Sequence, residues 1–198
     1  MSKRAIDATC ALLGLIVLSP LLVIVAVVVK LSSRGPIIFK QMRVGIHGVP
    51  FELYKFRTML VSAPADVATH LLRDTEGQFT PLGRFLRKFS LDELPQMFNI
   101  LKGDMSIVGP RPALWNQYDL IEERERFGAN DVLPGLTGWA QVNGRDELTI
   151  AEKAVLDGYY VEHQGLAFDI KCILASISVA LSGHNVREGT VSKSKRIP

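Results

Sequence analysis

The chain has few cysteines, no repeats and little net charge, and each of these features excludes a class of protein. Its 198 residues include only two cysteines, Cys10 and Cys172, both in apolar surroundings, so we expect no disulfide framework and a reducing compartment. The four histidines show no metal-ligand spacing, and no low-complexity tract is present. The net charge of +3 is too small to predict nucleic-acid binding, although it suits an anionic membrane surface or a phosphate-bearing substrate.

Hydrophobic residues are concentrated near the N-terminus. Residues 11–29 carry no charge, and as one straight helix they would measure roughly 28 Å, close to the thickness of a bilayer core. A spanning helix is one interpretation. A secretory signal peptide is another, but no small-residue cleavage site follows the run, and Lys30 comes directly after it.

Ser19 and Pro20 lie in the middle of this run and favour a third interpretation. Proline removes a backbone donor and crowds the preceding turn, so we expect a break or kink, with the Ser19 hydroxyl as a partner for the freed carbonyl. Basic residues flank both ends of the run, which favours the cytoplasmic side for both ends. A re-entrant helix-break-helix satisfies both observations, and a kinked spanning helix stays open as the alternative.

The remainder of the chain predicts an α+β fold that is mainly helical. Strands and helices alternate little, so a doubly wound sheet is not expected. The predicted elements are two short strands in 37–59 around a turn at 45–50, a loop at 60–80, helices at 82–88, 92–101, 114–127, 149–163 and 167–181, and a loop or short strand at 133–145. The last helix is too short to span a membrane but could lie at its interface. We therefore divide the chain into a membrane anchor at 1–33 and a cytosolic domain at 34–198 that forms one functional unit.

The adjacent acids Asp92 and Glu93 are the strongest candidates for chemistry. A structural explanation competes, because Ser90-x-x-Glu93 is a capping box. Pro95 is best tolerated in a first turn, which places both acids at the positive end of a helix. There Asp92 would stay ionised as a nucleophile or metal ligand, and neighbouring carboxylates suit Mg²⁺ together with phosphate oxygens.

Basic residues near these acids suit a phosphate-bearing substrate. Lys55 and Arg57 lie on the preceding strand, and Arg87 lies in the short predicted helix before the acids. Arg111 lies between two prolines that would hold it in a defined position. The alternative is a capped helix with solvated charges and a rigid connector that carries a surface arginine.

These motifs together resemble the bacterial sugar transferase family, the small monotopic polyprenyl-phosphate phosphoglycosyl transferases. The resemblance covers nearly the whole chain, and the motifs occur in the family's order. They are the apolar segment with Ser19-Pro20, GPIIFKQ at 35–41, YKFRTM at 54–59, SLDELPQ at 90–96, GPRP at 109–112 and PGLTGWAQVNGR at 134–145.

The resemblance implies a re-entrant helix broken at Ser19 and Pro20, on the cytoplasmic face of the bacterial inner membrane. It also implies that Asp92 attacks the β-phosphate of a UDP-sugar and releases UMP. Undecaprenyl phosphate would then take the sugar phosphate from an aspartyl intermediate, in the first membrane step of capsule, O-antigen or glycoprotein glycan assembly. The implied partners are these two substrates, membrane lipids and downstream glycosyltransferases, with no nucleic acid.

The resemblance also implies roles for individual residues. Glu93 would help to hold Mg²⁺ beside the diphosphate. Phosphate contacts are expected from Arg87 and Arg111, and also from Lys55, Arg57 and Arg145. Asp157, in LDGYY, matches a recurrent acid of the family to which the sequence assigns no role. The segment after Arg111, PALWNQYDLIEER, is similar to initiating enzymes that use N-acetylated amino sugars.

Two other functions fit the same residues. A membrane-tethered, Mg²⁺-dependent phosphohydrolase would use the same acids and arginines but transfer the phosphoryl group to water. A non-catalytic, membrane-anchored partner of a glycan assembly complex would not need Asp92.

Overall fold

The computed structural model describes residues 2–64 and 77–182, and its first element is a long apolar helix. This helix, α1, runs from Lys3 to Ser32 with Pro20 inside it, where two helices separated by a break were predicted. Pro20 removes the hydrogen bond that the Ile16 carbonyl would accept, and the Ser19 hydroxyl donates to that carbonyl instead, at 2.8 Å. The expected role of Ser19 is confirmed, and the helix continues because its freed carbonyl has a partner.

The other elements confirm a mainly helical α+β fold with two separate two-stranded sheets among the described residues. The predicted loop at 60–80 falls partly on residues 65–76, outside the described residues. The described elements are β1 (Ile38–Val44), β2 (Pro50–Phe56), α2 (Gly83–Lys88), α3 (Gln96–Lys102), β3 (Ser106–Val108), α4 (Tyr118–Glu125), β4 (Gly135–Thr137), α5 (Trp139–Val142), α6 (Ile150–His163) and α7 (Leu166–Ser182).

The hairpin of β1 and β2 is the larger sheet and lies where the sequence predicts it. The strands pair antiparallel from Ile38 opposite Phe56 to Val44 opposite Pro50. The chain reverses through His47 and Gly48, which both have positive φ. Alternation along β2 buries Phe51 and Leu53, so the hairpin presents an apolar face to the core.

Both ends of α1 pack against the same domain. Near its N-terminus, Ala11 joins a buried cluster with residues of β2 and α3, and Asp7 accepts hydrogen bonds from the Ser106 hydroxyl and the Ile107 amide. Near its C-terminus, Val25 and Val29 pack against residues of β2 and α2. The opposite face of the helix exposes apolar side chains, including Ile16, Val17, Val23, Ile24, Val27, Val28 and Leu31.

Helix α3 is tied to β2 through Asn99, which is fully buried. Its amide donates to the Glu52 carbonyl at 2.7 Å, and its side-chain oxygen accepts from the Tyr54 amide at 3.1 Å. The helix ends at Gly103, whose φ of 97° is the left-handed conformation that glycine adopts at low cost. Because α3 is fixed to β2, the segment that precedes α3 is held beside the last residues of β2.

The second sheet pairs β3 with β4 in parallel, in a region that was predicted as loop or short strand. Gly109 and Gly135 pass so closely that a Cβ on Gly135 would lie 2.1 Å from the Gly109 nitrogen. This contact explains why the two motifs contain glycine at these positions. It also brings the segment around Arg111 next to the segment that leads to Arg145. The short helix α5 was not predicted.

Helices α4, α6 and α7 confirm three predicted helices. Helix α4 is shorter than the predicted 114–127, because Ala113 still accepts a hydrogen bond from the Val44 amide at the edge of the hairpin. Helix α6 begins with a capping box formed by Thr149 and Glu152. Helix α7 buries Cys172 and exposes an apolar face on its other side that contains Leu166, Ile170, Leu174 and Ile177.

Candidate active site

Asp92 and Glu93 lie in a short 3-10 turn, Leu91–Glu93, just before α3. The capping box considered for Ser90 and Glu93 is absent: Ser90 has a left-handed φ of 55°, and its side chain caps nothing. The predicted helix over 92–101 is therefore wrong in its first turn, where the backbone takes the tighter 3-10 form. This turn frees the Glu93 carboxylate to face β2 and the segment around Arg111.

The Glu93 carboxylate is surrounded by three basic side chains. Its Oε1 accepts from Arg111 at 2.8 Å and from Lys55 at 3.0 Å, and Arg145 approaches it at 3.5 Å. Burial alone would raise the pKa of Glu93, but these three cations outweigh it and hold the pKa well below its ordinary value. Glu93 is therefore a fixed negative charge that gathers cations from three distant parts of the chain.

Asp92 has a different environment, although it is equally buried. No described residue donates a hydrogen bond to its carboxylate, whereas its neighbour accepts several. Burial raises the pKa of Asp92 and Glu93 raises it further, while Lys55 acts in the opposite direction. The acid of the pair that is left open for a reaction is Asp92.

Lys55 contacts Glu93 at 3.0 Å and also interacts electrostatically with Asp92. Burial lowers its pKa to about 8, although Glu93 acts to raise it. A lysine with this pKa is charged at neutral pH and becomes neutral under mildly alkaline conditions. Lys55 therefore loses its positive charge within the pH range of an ordinary enzyme assay.

Arg111 is held from behind by a buried ion pair that the sequence did not predict. Arg124 donates to the Arg111 carbonyl at 2.9 Å and to the Asp157 carboxylate at 2.6 Å and 2.8 Å. Asp157 is 1% exposed and points to Arg124. The acid to which the sequence assigned no role is thus part of the support for the Arg111 segment.

Three further basic residues of the cavity lining were missed: Arg43, Arg124 and Lys153. Arg43 on β1 donates to the Pro112 carbonyl at 3.0 Å and to the Gln41 side chain at 2.6 Å. Gln41 and Arg43 are two positions apart on a strand and so share a face, which was the available signal. Arg124 lies in a helix rich in charged residues, where no spacing distinguishes it from solvated neighbours.

The cavity beside the dyad measures about 280 Å³ and brings together the predicted residues. Eight basic and three acidic side chains line it. Among the predicted residues, Asp92, Glu93, Lys55, Arg57, Arg87, Arg111 and Arg145 all line the cavity. Asp157 lies outside it, behind Arg124, and Ser19 and Pro20 lie on α1. The surplus of positive charge indicates an anionic ligand.

Buried polar atoms without partners in the described structure also line this cavity. They include Arg145 Nε and Gln141 Oε1. Such atoms are costly unless a ligand or water satisfies them. Both belong to the glycine-rich segment 134–145, and the residue that follows this segment, Asp146, also lines the cavity.

The two acids fit a magnesium site of the kind that relies on substrate oxygens. The described residues contain no group of three or more His, Cys, Asp or Glu side chains that could hold a metal ion. Mg²⁺ needs only one or two protein carboxylates when phosphate oxygens and water complete its shell. Asp92 is open, and among the described residues Glu93 Oε2 has a single long contact of 3.4 Å, from Arg111. The role of Glu93 at a metal stays a prediction.

Comparison with known proteins identifies the class of enzyme that this site serves. The sequence model of the bacterial sugar transferase family matches residues 1–183, nearly the whole chain. The chain therefore belongs to the bacterial sugar transferase family. It is 41% identical over 186 residues to the uncharacterized sugar transferase EpsL of Bacillus subtilis (strain 168), covering 94% of this chain and 90% of that one.

Relatives with more specific names are longer than this chain. The UDP-glucose:undecaprenyl-phosphate glucose-1-phosphate transferase of Escherichia coli (strain K12) is 44% identical over 183 residues, which are 88% of this chain and 39% of that protein. The UDP-N-acetylgalactosamine-undecaprenyl-phosphate N-acetylgalactosaminephosphotransferase of Aeromonas hydrophila is 36% identical over 190 residues, 93% of this chain and 45% of that protein. The chain thus spans less than half of these two relatives.

Proposed function

We propose that the chain transfers a sugar 1-phosphate from a UDP-sugar to undecaprenyl phosphate. One observation carries this proposal: Asp92, a buried carboxylate that accepts no hydrogen bond from the described residues, opens into a cavity in which basic side chains outnumber acids. That arrangement suits an anionic electrophile approached by an anionic nucleophile. The names of the E. coli and A. hydrophila relatives support the two substrates.

The reaction has two steps at one carboxylate. An Asp92 oxygen attacks the β-phosphorus of the UDP-sugar, the bond from that phosphorus to the bridging oxygen breaks, and UMP leaves with the electron pair. A phosphate oxygen of undecaprenyl phosphate then attacks the same phosphorus and displaces Asp92. Two steps at a single site allow a soluble donor and a lipid acceptor to react without meeting directly.

The basic residues around Glu93 bind the diphosphate and reduce its repulsion from Asp92. Arg111 can offer its guanidinium fork to two phosphate oxygens, while Lys55 acts as a point charge close to the nucleophile. Arg145 and Arg87 complete the basic lining of the cavity beside the dyad. Mg²⁺, held by the dyad carboxylates with phosphate oxygens, would neutralise charge that develops on the leaving phosphate.

The packing of α1 supports a re-entrant position at the cytoplasmic face of the bacterial inner membrane. By length and composition, α1 is the one helix of the described segments that could cross a membrane. A helix that crossed would separate its ends by roughly 30 Å of hydrocarbon. Both ends of α1 instead pack against one polar domain, while its outer face is apolar and exposed.

The proposed product is the first lipid-linked sugar of an exopolysaccharide, capsule, O-antigen or glycoprotein glycan. Downstream glycosyltransferases would then extend it. We propose an N-acetylated amino sugar as the sugar of the donor. The two named relatives differ in this respect, since one carries glucose and the other N-acetylgalactosamine in its name.

The decisive experiment measures UMP release from a panel of UDP-sugars by the full chain in lipid nanodiscs with Mg²⁺. We expect UMP release, a phosphosugar covalently bound to Asp92 before acceptor is added, and a diphosphate-linked lipid product afterwards. Asp92→Asn should lower turnover by more than about 10³-fold, because the amide is a poor nucleophile. Asp119→Asn, at an exposed acid of α4, is the matched control.

Each competing function has its own result in this experiment. Release of sugar phosphate or inorganic phosphate without a lipid product would indicate a phosphohydrolase. Full turnover by Asp92→Asn would exclude Asp92 as the nucleophile, and the absence of any turnover in the wild type would favour a non-catalytic partner. Turnover with UDP-glucose and none with UDP-N-acetyl sugars would disprove the amino-sugar proposal.

A further inference from the structure

Arg57 lies at the end of the cavity that is closest to the C-terminal end of α1. It directly follows β2, and its backbone amide extends the hairpin by donating to the Ile37 carbonyl at 2.9 Å. Its NH2 group donates to the Ser33 carbonyl at 2.7 Å and to the Ser33 hydroxyl at 2.8 Å. Because Lys55 and Arg57 are two positions apart on extended chain, they share a face and lie roughly 7 Å apart. Arg57 is therefore a cation on the same face as Lys55 that lies farther from the dyad and closer to α1.

The charge of Arg57 has no counter-ion in the described part of the chain. The residue is only 4% exposed, and none of the described carboxylates lies within ion-pair distance of it. Its Nε and NH1 are buried and have no hydrogen-bond partner among the described residues. A buried guanidinium in this condition is costly unless an anion joins it. The positive charge of Arg57 is thus buried in the cavity lining without an anion from the described residues.

The backbone makes room for this guanidinium. Gly35 has a φ of +130°, and a Cβ at that position would lie 2.1 Å from Arg57 NH1 and 2.7 Å from a methyl group of Val61. Any side chain at position 35 would therefore displace Arg57 from the cavity lining. The same contacts place Val61 next to the guanidinium.

The surroundings of Arg57 differ from those of the other cations. The lining residues close to Arg57 along the chain or next to it in space include the apolar Pro36, Met59, Leu60 and Val61, whereas the polar Gln141, Asp146 and Lys153 come from later segments of the chain. Val61 is 68% exposed, and Leu31 of α1 is 80% exposed. Polar groups suit a nucleotide sugar, and an apolar edge beside the membrane helix suits a hydrocarbon chain.

We propose that Arg57 binds the phosphate of the prenyl monophosphate acceptor, whose chain leaves the cavity over Val61 towards α1. This inference rests on the proposed transferase function and adds a division of the site. The donor diphosphate lies with Arg111 and Arg145, the acceptor phosphate lies with Arg57, and Asp92 is open to both. In the second step the acceptor oxygen forms the new bond to phosphorus, and the bond from phosphorus to Asp92 breaks.

The test separates the two half-reactions of the full chain in nanodiscs. UMP release without acceptor reports the donor step, and transfer from the preformed intermediate to undecaprenyl phosphate reports the acceptor step. Arg57→Gln should keep the UMP burst within about threefold and raise the acceptor KM by about 10–100-fold, the range of a lost charge-assisted hydrogen bond. Arg145→Gln, the matched variant on the donor side, should weaken the UMP burst.

Val61→Glu tests the same site without removing the contacts between Arg57 and Ser33. A carboxylate beside Arg57 should compete with the acceptor phosphate, raising the acceptor KM and leaving the UMP burst unchanged. Val61→Lys has a similar bulk but the opposite charge, so it should raise the acceptor KM less than Val61→Glu does. Val49→Glu, at an exposed valine of the hairpin turn, should change neither step.

The source of the phosphate is distinguished by competition. Farnesyl phosphate should inhibit the acceptor step of the wild type far more strongly than inorganic phosphate does, and Val61→Glu should weaken that inhibition. Equal inhibition by the two compounds would overturn the lipid assignment. An unchanged acceptor KM in both Arg57→Gln and Val61→Glu, or an equal loss of the UMP burst, would overturn the role of Arg57. A wild type without any UMP burst would instead overturn the proposed function.

Discussion

Two clusters of charge contact Arg111, one through its side chain and one through its backbone carbonyl, and they differ in their balance. In the first, Glu93 accepts contacts from Lys55, Arg111 and Arg145, and the cavity contains more basic than acidic side chains. In the second, Arg124 and Asp157 form a pair whose side chains are 6% and 1% exposed.

This difference distinguishes residues that stabilise the fold from residues that bind the substrate. A buried one-to-one pair satisfies itself and needs no further ligand, although it is costly to break. A cluster with surplus charge is incomplete without an anion. By this criterion Asp157 and Arg124 support the site, and the other basic residues of the cavity are available to the substrate.

The largest effect on stability is expected from breaking the balanced pair. Asp157→Ala leaves Arg124 buried without its counter-ion, so unfolding free energy should fall by about 3–5 kcal/mol. The measurement is thermal unfolding of the purified protein in nanodiscs. Replacing both residues with leucine should cost less than removing Asp157 alone. Strong loss of activity at an unchanged melting temperature would assign Asp157 to the reaction itself.

Arg111→Gln should show the opposite behaviour. We expect the kcat/KM for the donor to fall by about 10²-fold, because a preorganised cation is lost from the diphosphate. The melting temperature should change little, since Glu93 keeps Lys55 and Arg145 as partners. Arg126→Gln removes an exposed arginine that pairs with Glu123 and serves as the control. A large drop in melting temperature for Arg111→Gln would remove the distinction between the clusters.

The pH dependence should reveal Lys55 and Asp92. Because the pKa of Lys55 is lowered to about 8, its charge is lost as the pH rises through that value, and donor kcat/KM should fall on the alkaline side. On the acid side, the raised pKa of Asp92 should make activity decline at a higher pH than for an ordinary aspartate. Lys55→Arg should shift the alkaline limb upward, because a guanidinium stays charged. An unchanged alkaline limb in that variant would exclude Lys55.

The smallest effect is expected from an exposed pair outside both clusters. Lys40 and Glu52 bridge the hairpin at 2.9 Å, with side chains 58% and 46% exposed. Glu52→Gln should change unfolding free energy by less than about 1 kcal/mol, because solvent screens such pairs. Activity should match the wild type. A larger effect would mean that exposed ion pairs of this protein also stabilise its fold.

Local patterns predicted most of the fold. The alternation around residues 45–50 predicted the hairpin, and helical spacing predicted α2, α4, α6 and α7. Glycine-rich stretches were harder, because β4 forms only by pairing with β3 and α5 follows from that placement. The capping box at Ser90 failed because its spacing is also compatible with a left-handed residue before a 3-10 turn.

The sequence by itself determined the apolar helix, the order of the main elements, the acid dyad as the leading candidate and the resemblance to a family. These features depend on neighbouring residues, whose spacing is written along the chain. Only the tertiary structure decided which charges are balanced. Glu93 collects partners from positions 55, 111 and 145, while Arg57 stays without an anion among the described residues. Burial and long-range packing set those pairings, and no local pattern encodes them.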